Sequence, residues 1–173
     1  LLLLSLALSS STLSAAGTPQ PGWWKGNLHT HSLWSDGDDY PEMITAWYKE
    51  QGYQFLMLSD HNALSEGTRW SGVKTNRGGL LAHEKYLKRF GARWVEQREE
   101  EGKLWVRLKP LGEFRHLFEE PGRFMMIQGE EITARHLAAP VHINVTNIRE
   151  LIFPRTGDSV LAEFASVVDA LDC

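Results

Sequence analysis

Residues 25–59 read KGNLHTHSLWSDGDDYPEMITAWYKEQGYQFLMLS. Lys25–His31 (KGNLHTH) reads as a short strand, and Ser32–Tyr40 as a polar loop rich in Asp and Gly. Pro41 suits the first position of a helix. Met43, Ile44, Trp47 and Tyr48 then give Pro41–Gln51 a helical period, closed by Gly52. Tyr53–Ser59 is a continuous apolar run, the pattern of a strand buried on both faces. Strand, loop, helix and strand in this order make a βαβ unit, which predicts an α/β fold on a parallel sheet or barrel.

Outward from this unit the composition changes. The stretch of about 63–122 holds most of the Arg, Lys and Glu and reads as an α+β insertion between two core strands. Within it, residues 75–79 (TNRGG) read as a loop and Leu80–Phe90 as a helix. Trp94–Arg98 and Lys103–Leu108 read as a charged hairpin, and Leu111–Glu120 as a helix stopped by Pro121-Gly122. Core patterning returns in Phe124–Gln128, a buried strand ending in Gly129-Glu130-Glu131, and in Val141–Ile148. Asp158 or Ser159 caps a final amphipathic helix through Leu171.

The chain has 173 residues and a formal net charge of -4, which suits one domain without general attraction to nucleic acid or anionic lipid. Its one cysteine, Cys173, excludes an internal disulfide and a cysteine-based zinc site. Residues 1–16 combine an apolar run with a small-residue Ser14-Ala15-Ala16 end, the pattern of a partial secretory signal, which predicts export to the periplasm or medium. The run is too short for a stable membrane span. The domain proper is expected over 17–173, following a Pro- and Gly-rich linker, with Trp23, Trp24 and Trp34 as core or rim aromatics.

Four groups of ligand-type residues fall at or near predicted strand ends, where parallel α/β folds gather catalytic groups. His29 and His31 are two residues apart, so on a strand both imidazoles share a side, and Asp36 lies in a loop able to fold back toward them. Asp60-His61-Asn62 follows the most apolar strand; His61 is the expected ligand, and Asp60 is either a ligand or an orienting partner. Glu130 and Glu131 are adjacent carboxylates at a buried strand end, costly to desolvate unless paired or bound to metal. His142, with Asn144, lies on one face of the next strand. His83 and His116 read as surface or packing residues of the insertion, and His136 as a neighbour of the third group. Arg69, Lys74 and Arg77 are the cations available to clamp an anion, beside the plainer reading of solvated charge.

Taken together, LHTHSLWSDG, LSDHN and GEEIT with the later VHIN resemble the motifs of the polymerase-and-histidinol-phosphatase (PHP) superfamily, over roughly Gly26 to Ile148. The resemblance implies a distorted TIM-like barrel of about seven βα units, here partial, with C-terminal strands missing. It also implies two or three divalent ions, Zn, Mn or Fe. By position, His29 and His31 would hold one ion, Glu131 would bridge it to a neighbour held by His142, and Asp36 and His61 would hold a third. Such a centre hydrolyses a small phosphorylated substrate with a metal-bound water, held here by Glu131, His29 and His31. The family pattern continues with a further His and an Asp-x-His pair, and no His follows His142, so the chain reads as truncated at both ends. Two other readings compete. An amidohydrolase-type enzyme also begins with His-x-His, but Asp36, Asp60-His61 and the Gly-x-Glu pattern argue against it. A non-catalytic metal-binding or interaction module would use the charged insertion as its contact surface.

Overall fold

A computed structural model of the chain describes residues 22–171, so the leader expected over 1–16 lies outside the described residues. Strand β1 (Gly26–Asn27), helix α1 (Pro41–Glu50) and strand β2 (Phe55–Leu58) form the expected parallel βαβ unit. Pro41 starts α1, Glu42 and Lys49 match the helix dipole at its two ends, and Gly52 takes the left-handed backbone (φ 73°) that turns the chain toward β2. Leu56 and Leu58 of β2 pack with Ala46 of α1 in one buried cluster.

The chain next enters the insertion: β3 (Arg69–Gly72), α2 (Gly79–Phe90), β4 (Gln97–Glu100), β5 (Lys103–Leu108), the short α3 (Leu111–Phe114) and a single 3₁₀ turn. Strands β3, β5 and β4 make an antiparallel sheet in that order. The hairpin turns at Glu101-Gly102, both at positive φ, so Glu99 and Glu100 belong to the strand rather than to the turn. Strand β3 has no apolar alternation strong enough to announce it. The expected long helix over 111–120 is only α3 and the 3₁₀ turn.

The insertion is not a satellite. Val73, Tyr86, Val106 and Leu108 share one core with Leu33, Trp34 and Tyr40 of the loop before α1. Tyr40 and Tyr86 stack at 4.2 Å. Further along, Leu111, Phe114 and Phe118 cover the same face of β2 as α1 does. Trp34 is a core residue, whereas Trp23 and Trp24 are exposed.

The last elements are β6 (Met125–His136), β7 (Ala139–Thr146) and α4 (Val160–Leu171), and the main sheet runs β1-β2-β6-β7. Strands β1, β2 and β6 are parallel; β7 is antiparallel to β6. This corrects the expected partial (βα)7 barrel. β6 does not end at Gly129 but runs twelve residues, turns through Leu137 (φ 54°) and Ala138, and returns directly as β7. A two-residue loop joins antiparallel strands only, because a parallel neighbour needs a crossover of a dozen residues or more. The described residues therefore form a mixed, four-stranded half-barrel sheet, a second three-stranded sheet and four helices. Helix α4 starts where Ser159 Oγ accepts from Ala162 N, as the sequence suggests, and packs Val167 on Ile132 and Val145 of the hairpin. No helix among the described residues is long and apolar enough to cross a membrane.

One buried acid marks the core shared with the insertion. Glu42 is fully buried; its Oε1 accepts from Tyr86 Oη at 2.5 Å and Trp94 Nε1 at 2.9 Å, and its Oε2 has no partner among the described residues. Burial drives its carboxyl above the usual range, against the hydrogen bonds that favour the anion. A raised folded-state pKa contributes stability while the group is protonated, and that contribution is lost as pH rises through the folded value. Glu42→Gln, which cannot ionise, should thus gain on the parent protein between pH 5 and pH 8, by about 1 kcal/mol or a few degrees of Tm. Thermal melts across that range check it; a difference independent of pH would contradict it.

Candidate metal centre

The centre forms where the parallel strands end. β1 stops at Asn27, whose Oδ1 accepts from His29 N at 3.0 Å while its Nδ2 donates to Tyr48 Oη and Thr30 Oγ1. The chain bends there, as Asn side chains commonly direct. His29 and His31 are therefore not on a strand. Their common direction comes from this bend and from Thr30, which bonds across to Ser59 through N→Oγ (3.0 Å) and accepts Ser59 N at its carbonyl (2.8 Å).

Asp36 is brought back by a compact loop. Gly37 N and Ser35 N both donate to Ser32 O, and Leu33 N donates to Asp39 O. Gly37 packs so tightly that a Cβ there would lie 2.6 Å from His31 O, which explains the glycine. Buried Asp60 holds the loop from beneath: Oδ1 accepts from Ser32 N (2.8 Å) and Ser35 Oγ (2.6 Å), and Oδ2 from Ser32 Oγ (2.7 Å). Asp60 is thus neither a ligand nor the partner of an imidazole; it orders the loop that presents Asp36.

β6 supplies the centre's middle. Beyond the β2–β6 ladder, Asp60 O accepts Glu131 N, Glu131 O accepts Asn62 N, and His61 pairs with Glu131 in a parallel bridge. Asn62, in the left-handed region (φ 46°), closes this extension with both of its side-chain atoms on the Thr133 backbone. The alternation of a strand then separates the two adjacent acids. Glu131 faces the histidines with Thr133, and with His142 from β7, which is in register opposite Thr133. Glu130 is buried, its Oε1 accepting Ile152 N at 2.7 Å.

All six residues expected as ligands meet here. Glu131 Oε2 lies 3.1 Å from His29 Nε2, 2.5 Å from His31 Nε2 and 3.2 Å from His61 Nδ1, and Glu131 Oε1 lies 2.8 Å from His142 Nδ1. Asp36 Oδ1 lies 2.9 Å from His31 Nδ1 and 3.6 Å from His61 Nε2. Three overlapping groups result: His29, His31 and Glu131; His31, Asp36 and His61; His61, Glu131 and His142. Burial pushes the Glu131 carboxyl upward, and the surrounding imidazoles outweigh it, so it sits below the usual carboxylate range. The same balance, with Arg77 added, lowers Asp36.

These groups could hold metal ions, and the donor set fits them. Three imidazole nitrogens converge on one carboxylate oxygen, which offers only two lone pairs. Hydrogen bonding alone would need His31, whose Nδ1 faces Asp36 and whose Nε2 faces Glu131, to carry both protons and so a positive charge, crowded against His61 with ring centroids 4.2 Å apart. Neutral imidazoles and a carboxylate around a cation use the same positions without that repulsion.

Other residues fall elsewhere. His83 is packed, 2.9 Å from Gln97 Oε1. His116 is exposed, and His136 faces α4, 3.3 Å from buried Glu163. Arg77 Nη2 lies 3.5 Å from Asp36 Oδ2, whereas Arg69 lies over the Trp34 ring. Sequence reasoning gave no role to Thr133, whose Oγ1 sits 2.5 Å from His61 Nδ1 and 3.3 Å from His142 Nδ1. Its place two residues after Glu131 on a strand was the available signal. The chain matches no protein-family model, no curated protein and no solved structure.

Because Thr133 joins two of the candidate ligands, Thr133→Val should weaken metal binding by roughly 10–100-fold while leaving the fold intact. Competition titration of Zn or Mn against a chromogenic chelator measures this. Unchanged affinity would show that the hydroxyl does not position the imidazoles.

Proposed function

We propose that this chain is a PHP-type, metal-dependent phosphoesterase. The observation that carries the reading is one buried carboxylate, Glu131, shared by four histidines, with Asp36 closing the far side. His29, His31 and Glu131 would hold one divalent ion; His61, Glu131 and His142 a second; Asp36, with His31 and His61, a third. Zn, Mn and Fe suit these imidazole and carboxylate donors. Such ions lower the pKa of a bound water and neutralise charge on phosphoryl oxygens.

The chain's own groups supply the rest. Glu131, His29 and His31 mark the place from which water would be delivered, and Thr133 orients His61 and His142. Arg77 stands at the rim beside Asp36, 68% of its side chain exposed, where a guanidinium can meet an anionic ester. No nucleophilic side chain is required. The substrate is a small phosphorylated molecule, and the leader pattern over 1–16 points to action in the periplasm or outside the cell.

Hydrolysis of 4-nitrophenyl phosphate and of bis(4-nitrophenyl) phosphate, after reconstitution with each of Zn, Mn and Fe, tests the reading. At least one metal should support turnover of at least one ester, and His29→Ala/His31→Ala should reduce it by roughly 100-fold or more. Metal-loaded protein that hydrolyses neither ester would contradict the proposal.

A further inference from the structure

Next to the centre, on its His142 side, lies a cavity of about 510 Å³. Thr133, Arg135, Pro140, His142, Arg155 and Thr156 line it, and none of its lining residues is acidic. His142 belongs to the centre and Thr133 contacts it, and both line the cavity, so the cavity borders the centre. Arg135 spends one donor on Ala138 O at 3.3 Å. Arg155 makes no hydrogen bond or ion pair among the described residues.

The wall that carries Arg155 is built from both ends. Before it, Gln128 Nε2 donates to Ile148 O (3.2 Å), and Ile152 N donates to the buried Glu130 carboxylate. Pro154 fixes one backbone torsion next to the arginine. After it, Gly157 packs against α4, where a Cβ would meet Glu163 N at 2.8 Å. Glu130, set aside by the centre, thereby acquires a purpose: it anchors the segment that holds Arg155 over the cavity.

Two guanidiniums that share a cavity without a carboxylate repel one another, and an oxyanion relieves that repulsion. Their planar donors match carboxylate and phosphate oxygens. We infer that this cavity binds a second oxyanion of the substrate, carried on its organic part and separate from the phosphoryl group at the centre. Resting on the phosphoesterase reading, the inference narrows the substrate class to phosphoesters with a further anionic group.

The test compares two phosphonates of similar length on the metal-loaded chain, propylphosphonate and 3-phosphonopropionate, which adds a terminal carboxylate. Calorimetry should show 3-phosphonopropionate binding roughly tenfold tighter or more. Arg155→Ala should abolish that preference with metal content unchanged, and Arg155→Lys should keep part of it. Equal affinity for the two compounds, or a preference that survives both Arg135→Ala and Arg155→Ala, would overturn the inference. A preference lost in Arg155→Ala, together with no turnover of either 4-nitrophenyl ester, would uphold the cavity and defeat the phosphoesterase reading.

Discussion

Four imidazoles around the buried Glu131 carboxylate are the constraint to which the surrounding structure answers. A carboxylate out of water needs compensation by hydrogen bonds or cations. Here that compensation comes from three separate parts of the chain: the bend after β1, the turn after β2 and the β6–β7 hairpin. The bridge between His61 and Glu131 extends the parallel ladder beyond β2, and this extension aligns the three parts.

The insertion answers to the same constraint from the other side. Its core includes Leu33 and Trp34, on either side of which lie Ser32 and Ser35, the residues gripped by Asp60. Gly78 packs on the Asp38 carbonyl, where a Cβ would lie 2.4 Å away, so the turn that presents Arg77 is pressed against the loop that presents Asp36. A segment that looks like decoration in the sequence thus fixes the position of one candidate ligand and of the cation beside it.

Much of this was legible. Pro41, Gly52 and the apolar run to Ser59 announce the βαβ unit, and the motifs that carry His29, His31, Asp36, His61, Glu131 and His142 mark the six residues that meet at the centre. The barrel was not legible. Its expectation came from the βαβ opening and from the PHP resemblance, with Gly129-Glu130-Glu131 read as the end of a strand. β6 instead continues through both glutamates by turning Glu131 to the histidines and Glu130 to the segment at Ile152. The two-residue turn at Leu137-Ala138, with no Gly or Asn to signal it, then made the hairpin that excludes a parallel crossover. The contacts of Asp60 and Thr133 were also hidden, since they join residues as far apart as Ser32 and Asp60 (28 positions) and His61 and Thr133 (72 positions).

Glu131 as the shared ligand is the central claim, and metal analysis of the purified protein beside Glu131→Gln tests it most directly. The account predicts two or three transition-metal equivalents in the parent protein and their loss in the variant, with far-UV circular dichroism unchanged. A parent protein free of metal, or a Glu131→Gln variant that retains its full complement, would contradict it.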